Sequence, residues 1–444
     1  MRRPQAPAGR RPGAPAAAVS AKRTALARHY QAVRERSLAL AAPLSSEDCQ
    51  AQSMPDASPV KWHLAHVTWF FETFLLEPFE PGFQPFHPAY RVLYNSYYNG
   101  VGEQFTRHQR GLVTRPDLEG VKSWRAQVDE RMLRLIAETD CEDALRRIEL
   151  GLHHEQQHQE LLLTDLKHLL SINPLQPAYL PAWPLARVSA VPARWVENEG
   201  GLVDIGHAGG GFAFDNETPR HRQWLAPYAL MNRPVTHGEW LEFVHDGGYT
   251  DPHWWLSSGW DWVRSQRIEA PLYWTLPSDT GEPVRVFTLH GAVPLDPHTP
   301  VTHISYFEAD AYARWASVTR AEWAGARLPL EGEWEASAAS LPLQGNFQES
   351  DALHPMPARS DTPGLLQMLG DVWEWTASSY SAYPGFAPAE GAVGEYNGKF
   401  MVNQYVLRGG SCATPASHIR ASYRNFFPTD ARWQFTGLRL ARSE

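Results

Sequence analysis

The chain has 444 residues, 43% hydrophobic and 20% charged, with a formal charge of -9 at neutral pH. That length exceeds what one hydrophobic core usually organises, so two domains are expected, and the negative charge without a long basic run argues against a nucleic-acid partner. No segment approaches the roughly 18 apolar residues that cross a bilayer, and three widely spaced cysteines, Cys49, Cys141 and Cys412, indicate neither a disulfide framework nor a cysteine-based zinc site; a cytoplasmic protein with no membrane partner is expected.

Residues 1–20, rich in Pro, Ala and Arg, lack the continuous apolar segment of a signal peptide and read as a disordered tail. Residues 21–172 read as helical. Four segments carry apolar residues at spacings of three and four: SAKRTALARHYQAVRERSLALAA, SPVKWHLAHVTWFFETFLL, LEGVKSWRAQVDERMLRLIAE and CEDALRRIELGLHHEQQHQELLLTDLKHLL. Ser58-Pro59 supplies a start for the second. Four such helices predict a bundle, whose interior is a common place to build a metal site. Between the second and third lies FEPGFQPFHPAYRVLYNSYYNGVGEQFTRHQRGLVTRP, an irregular connection of a length that is more often functional than idle.

Residues 173–186, beginning NPLQPAYLPAWP, read as a proline-rich linker. Beyond it Gly, Pro and aromatic residues punctuate short segments, and most of the eighteen tryptophans fall here. Helical patterns are limited to residues 305–317 and 330–339. The prediction for residues 187–444 is a loop-rich mixed domain, and for the whole chain an α+β fold.

The densest chemistry lies in GLHHEQQHQELLLTD, residues 151–165. His154 and His158, four apart, share one helix face, the spacing two imidazoles need to hold one ion. His153 points about 100° away from His154. A third imidazole can come from the second helix, from His66 or from His63, which shares much of the same face. Three neutral imidazoles leave coordination positions open, which suits catalysis better than a structural site. Spacing does not name the metal: such sites hold zinc as well as iron(II).

Ten blocks in order, among them LAHVTWFFE, LYNSYYNGVG, RGLVTRP, HHEQQHQELL, FAFDNETPRH, GDVWEWTASSY, LRGGSCA and RNFFPTDARWQFTGLRLA, resemble the ergothioneine-type sulfoxide synthases. The resemblance runs over nearly the whole chain from about Ala21. It implies a DinB-like four-helix bundle followed by a domain like formylglycine-generating enzyme, of C-type-lectin character. It also implies a nonheme Fe(2+) enzyme that uses O2 to join a chalcogen to the imidazole of hercynine. Carried over one at a time, the iron ligands are His66, His154 and His158. Gln157 contacts the imidazole substrate, and Asn425 lies near its trimethylammonium group. Phe426, Phe427, Trp433 and Tyr380 offer aromatic faces to that cation. Tyr97 and Tyr98 match a pair of which one hydroxyl gives a proton at the metal site.

The pattern departs from some family members after Arg424-Asn425. Phe426-Phe427 stands where those members carry a tryptophan and an aspartate, and loss of the acid removes a partner for γ-glutamylcysteine. Free cysteine and a selenosugar remain as donors, the second implying a selenoneine synthase. Arg107, Arg110 and Arg115 can clamp a carboxylate or another anion in either case. Cys412 stands alone where formylglycine-generating enzymes use a cysteine pair with copper, so that activity is not expected. Two other classes fit the same residues: a zinc-dependent DinB-like thiol transferase, and a noncatalytic lectin-like binding protein.

Overall fold

The computed structural model describes residues 16–183, 188–277, 281–359 and 363–444, with side chains from residue 21 onward. Most of the expected tail, and the end of the linker, lie outside the described residues.

The N-terminal part is a helical bundle. Its four long helices are Ala16–Ala41, Val60–Phe71, Leu118–Glu138 and Glu142–Ser171. The second begins after Pro59, relaxes into a π-helical turn at Glu72–Leu76 and ends at Glu77–Phe79. The third is capped by the Asp117 carboxylate, which accepts from the Gly120 N–H at 2.8 Å. The fourth opens with Glu142 and Asp143, acids placed where the helix dipole favours them. Gly151 lets the second and fourth helices cross closely: a Cβ there would lie 2.7 Å from Phe71 Cε1. That crossing sets His154 and His158 beside His66.

The fourth helix distributes its polar run by angle, 100° per residue. Glu155 and Gln159 face the first helix, where Glu155 pairs with Arg34 and accepts from Ser37, and Gln159 donates to the Val33 carbonyl. His153, Gln156, Glu160 and Lys167 face the second domain. Gln156 donates to Ser417 Oγ at 2.6 Å, and Glu160 accepts from Trp373 Nε1, Ser411 Oγ and Thr414 Oγ1 at 2.7, 2.6 and 2.6 Å. His154 and His158 are left facing the second helix.

The second domain is built on short strands. β1 (Trp195–Asn198), β4 (Tyr228–Met231) and β12 (Ala441–Ser443) form one antiparallel sheet, and β2 (Gly201–Ile205) pairs with β3 (His221–Leu225). β5 (Trp274–Thr275), β6 (Arg285–Thr288) and β7 (Gly291–Pro294) form a meander. The sheet nearest the bundle runs in the order β10 (Asn425–Pro428), β9 (Gln404–Arg408), β8 (Trp373–Ser379), β11 (Thr436–Gly437). Its helices include Tyr306–Thr319 and Glu331–Ala338, matching the two expected patterns, and also His237–His245 and Ser257–Gln266, which were not anticipated. The first of these carries a legible signal: Thr236 and Glu239 form a capping box. The segment after the fourth helix docks on the second domain, with Tyr179 N–H and Leu180 N–H both donating to the Leu289 carbonyl. Among the described residues no helix is long and apolar enough to cross a membrane.

Lys167 is fully buried at this junction, with Nζ 2.7 Å from His303 Nε2 and 4.8 and 5.0 Å from the ring centres of Tyr273 and Phe435. Burial pulls its ammonium down to about 7. The folded state therefore binds fewer protons than the unfolded chain between that value and the ordinary lysine range. Its contribution makes stability rise with pH from about 7 to about 10, by up to ~1.4 kcal/mol per pH unit. Denaturant midpoints measured across that range should rise more steeply with pH in the wild type than in Lys167→Met, the difference between the two being the Lys167 contribution.

Candidate metal centre and substrate cavity

His66, His154 and His158 converge: their ligand nitrogens all lie within 4.8 Å of one another, and they form the one such group of three or more among the described residues. His66 Nδ1 lies 2.7 Å from the Tyr94 carbonyl, an acceptor, so Nδ1 carries the proton and Nε2 the lone pair. That Nε2 is 3.2 Å from His154 Nε2. His154 Nδ1 is buried without a hydrogen-bond partner. Trp62 stacks on His66 with ring centres 4.6 Å apart and planes 10° apart, and the Arg110 guanidinium carbon lies 3.5 Å from the Trp62 ring centre.

Burial is the largest influence on all three imidazoles. It holds His154 down to about 3 and drives His66 and His158 well below the ordinary histidine range, helped at His66 by His154 and at His158 by its three histidine neighbours. Three imidazoles held neutral, with two Nε2 atoms face to face, form a donor set that suits a transition-metal cation. The residues fit such an ion by their chemistry.

The cluster opens into a cavity of about 340 Å³. His154, His158, Gln157, Tyr97, Asn425 and Phe426 line it, and so do Arg107, Arg110, Phe427 and Trp433. Gln157 is gripped at both ends: its amide nitrogen donates to Tyr423 Oη at 2.7 Å and its oxygen accepts from the Tyr396 hydroxyl. Arg110 is buried and donates to Ser58 Oγ at 2.9 Å; burial lowers its guanidinium to about 9.

Several expected residues sit elsewhere. Tyr98 is fully buried behind Tyr97, stacked on it at 4.5 Å and packed on Trp69, Phe70 and Phe74, so of the tyrosine pair Tyr97 alone reaches the cavity wall. The two rings lie side by side, and the second fills the core beneath the first. Tyr380 lies beneath Phe426, ring centres 4.0 Å apart, and supports that ring without lining the cavity. Arg115 bonds the Thr114 carbonyl at the exposed surface and is absent from the wall. His153 turns away from the cluster, stacking on Phe212 at 3.9 Å with Nδ1 3.0 Å from His418 Nδ1.

Sequence reasoning missed Tyr396, Tyr423, Trp62 and Glu160, all on the wall. Trp62, four residues before His66 on the same helix face, was findable. Tyr396 was not: it meets Gln157 across 239 residues of sequence.

Comparison with known proteins places this architecture. Residues 29–162 match the DinB superfamily, and residues 190–362 and 354–444 match the sulfatase-modifying factor enzyme 1-like domain. The chain is 33% identical over 451 residues to a hercynine oxygenase of Mycobacterium tuberculosis, covering 94% of this chain and 98% of that protein. It is 31% identical over 449 residues to a hercynine oxygenase of Mycolicibacterium smegmatis, covering 94% and 99%. Ergothioneine biosynthesis protein 1 of Schizosaccharomyces pombe is 26% identical over 249 residues, covering 52% of this chain and 28% of that one.

Proposed function

The chain belongs to the ergothioneine synthase family, with the hercynine oxygenases, and from that membership we propose an iron(II)- and O2-dependent enzyme that joins sulfur or selenium to the imidazole of hercynine. The observation that carries this reading is the convergence of three neutral imidazoles, of which His154 and His158 reach the wall of a cavity that Gln157, Tyr97 and Asn425 also line. In the net reaction the imidazole carbon loses its hydrogen and the donor loses its S–H or Se–H hydrogen. A carbon–chalcogen bond forms, one atom of O2 ends on the chalcogen and the other leaves as water.

His66, His154 and His158 would hold the iron, which when bound supplies electrons to O2 and open positions for substrate and donor. The protein's own groups do the rest. Gln157, fixed between Tyr396 and Tyr423, presents a rigid amide to the imidazole substrate. Asn425 and the faces of Phe426 and Phe427 receive the trimethylammonium group, which has no hydrogen to donate and is best held by π-faces and amide oxygens. Arg107 and Arg110 hold an anionic or hydroxyl-rich donor at the same cavity. Burial pushes the Tyr97 phenol up, so it stays protonated and gives its proton where charge develops on oxygen.

Tyr97→Phe should lower turnover by roughly 10²- to 10⁴-fold, with hercynine affinity by calorimetry within about twofold of wild type. Unchanged turnover would remove Tyr97 from the proton step. The whole reading is tested by anaerobic loading with iron(II) and hercynine, then air with cysteine and a selenosugar in competition, and mass spectrometry of the products. A sulfur-bearing or selenium-bearing hercynine adduct supports it and names the donor. No oxygen-dependent product from either donor, with zinc retained through purification, would overturn it.

A further inference from the structure

Beside the three imidazoles stands a fourth, His63, with both ring nitrogens engaged. Its Nε2 lies 3.0 Å from Asp165 Oδ2, and its Nδ1 lies 2.9 Å from His158 Nδ1. The His63 and Asp165 side chains are buried. Asp165 accepts from two further donors: the Ser58 backbone N–H at 2.8 Å on Oδ2 and the Trp433 indole N–H at 3.2 Å on Oδ1.

The proton positions follow from this geometry. A carboxylate surrounded by donors is an acceptor toward each, so His63 Nε2 carries a hydrogen and donates it to Asp165. A neutral His63 then has its lone pair on Nδ1. His158 must donate its Nδ1 hydrogen there, which leaves the His158 lone pair on Nε2, the nitrogen free to join the other two imidazoles. His66 is fixed the same way by the Tyr94 carbonyl, whereas His154 Nδ1 has no partner. Two of the three imidazoles are thus locked by a protein acceptor, one through a backbone carbonyl and one through a second histidine.

We infer that His63 and Asp165 are positioning residues: a relay Asp165–His63–His158 that sets the tautomer and ring orientation of His158 for the metal. His63 is not itself a ligand, since neither nitrogen is available. The inference rests on the metal-centre reading above. Asp165 also ties the relay to the second domain through Trp433, so the loop that lines the cavity and the metal-facing imidazole share one carboxylate.

The relay predicts how the site behaves toward a metal, independently of turnover. Full-length protein is titrated anaerobically with cobalt(II) and iron(II) against a competing chelator, and the visible absorption of the cobalt form is recorded. His66→Ala is included to identify binding at the three-histidine group. His63→Phe keeps an aromatic ring but removes the acceptor; Asp165→Leu keeps the approximate size but removes the acceptor that His63, Ser58 and Trp433 share; His63→Asn places an amide oxygen near the former Nδ1. His63→Phe and Asp165→Leu should weaken metal binding roughly 10- to 100-fold and alter the cobalt spectrum, with His63→Asn recovering part of the loss. If His63→Phe fails to fold, Asp165→Leu carries the same test. Variants that melt like the wild type, bind cobalt within about twofold of it and give the same spectrum would overturn the relay alone. A wild type with no His66-dependent metal binding would overturn the three-histidine centre, and the relay with it.

Discussion

Replacing His154 with alanine is expected to abolish stoichiometric metal binding and to lower turnover by on the order of 10³-fold or more, about 4 kcal/mol of barrier. The reason is geometric. His154 Nε2 lies 3.2 Å from His66 Nε2, so the pair forms the centre of the donor set, and a two-histidine remainder loses both affinity and the arrangement of open positions. His153→Ala is the matched control one residue away. Its ring points to Phe212 and His418, and metal content by mass spectrometry should stay at the wild-type level. Equal metal loss in both variants would mean that the helix, and not the ligand, had failed.

The contrast between these neighbours shows what was legible in the sequence. Helical periodicity separates His153 from His154 by about 100°, and the structure puts them in different surroundings. The third and fourth bundle helices were readable because apolar residues recur over 21 and 30 residues. In the second domain periodicity fails: strands of two to seven residues are too short to show alternation, and loop aromatics such as Phe426 and Trp433 look alike whether they line a cavity or fill a core. The choice of His66 over His63 was also beyond spacing, because the two share one helix face. What distinguishes the two in the fold is hydrogen bonding, to the Tyr94 carbonyl for His66 and to Asp165 for His63, partners remote in sequence. Tyr97 and Tyr98 fail to separate for a related reason: on a loop there is no period from which to tell which ring turns inward.

Glu155→Ala should destabilise the metal-free protein by about 3–5 kcal/mol, read as a fall in denaturant midpoint at unchanged m-value. Glu155 is completely buried between His154 and Gln156, where it pairs with Arg34 at 2.9 Å and with Arg125 and accepts from Ser37 Oγ at 2.6 Å. Burial alone would raise its carboxyl, but the Arg125 and Arg34 guanidiniums hold it below the usual carboxylate range. Removing the carboxylate leaves Arg34 with Asp129 at 2.6 Å and Arg125 with the Arg34 carbonyl at 2.8 Å, so Arg125 becomes a buried cation with no counter-charge. Changing Glu155 and Arg125 together to methionine should recover most of the loss, because the cost lies in the stranded charge. The same substitution links stability to the metal site. Glu155 fastens to the first helix the stretch of the fourth that carries His154 and His158, and an ion bound only by the folded state adds stability as its concentration rises above its dissociation constant. Saturating metal should therefore raise the midpoint of Glu155→Ala, and should leave a protein that also lacks His154 where it was. A metal-induced rise that survives the loss of His154 would place the stabilising ion somewhere other than these three histidines.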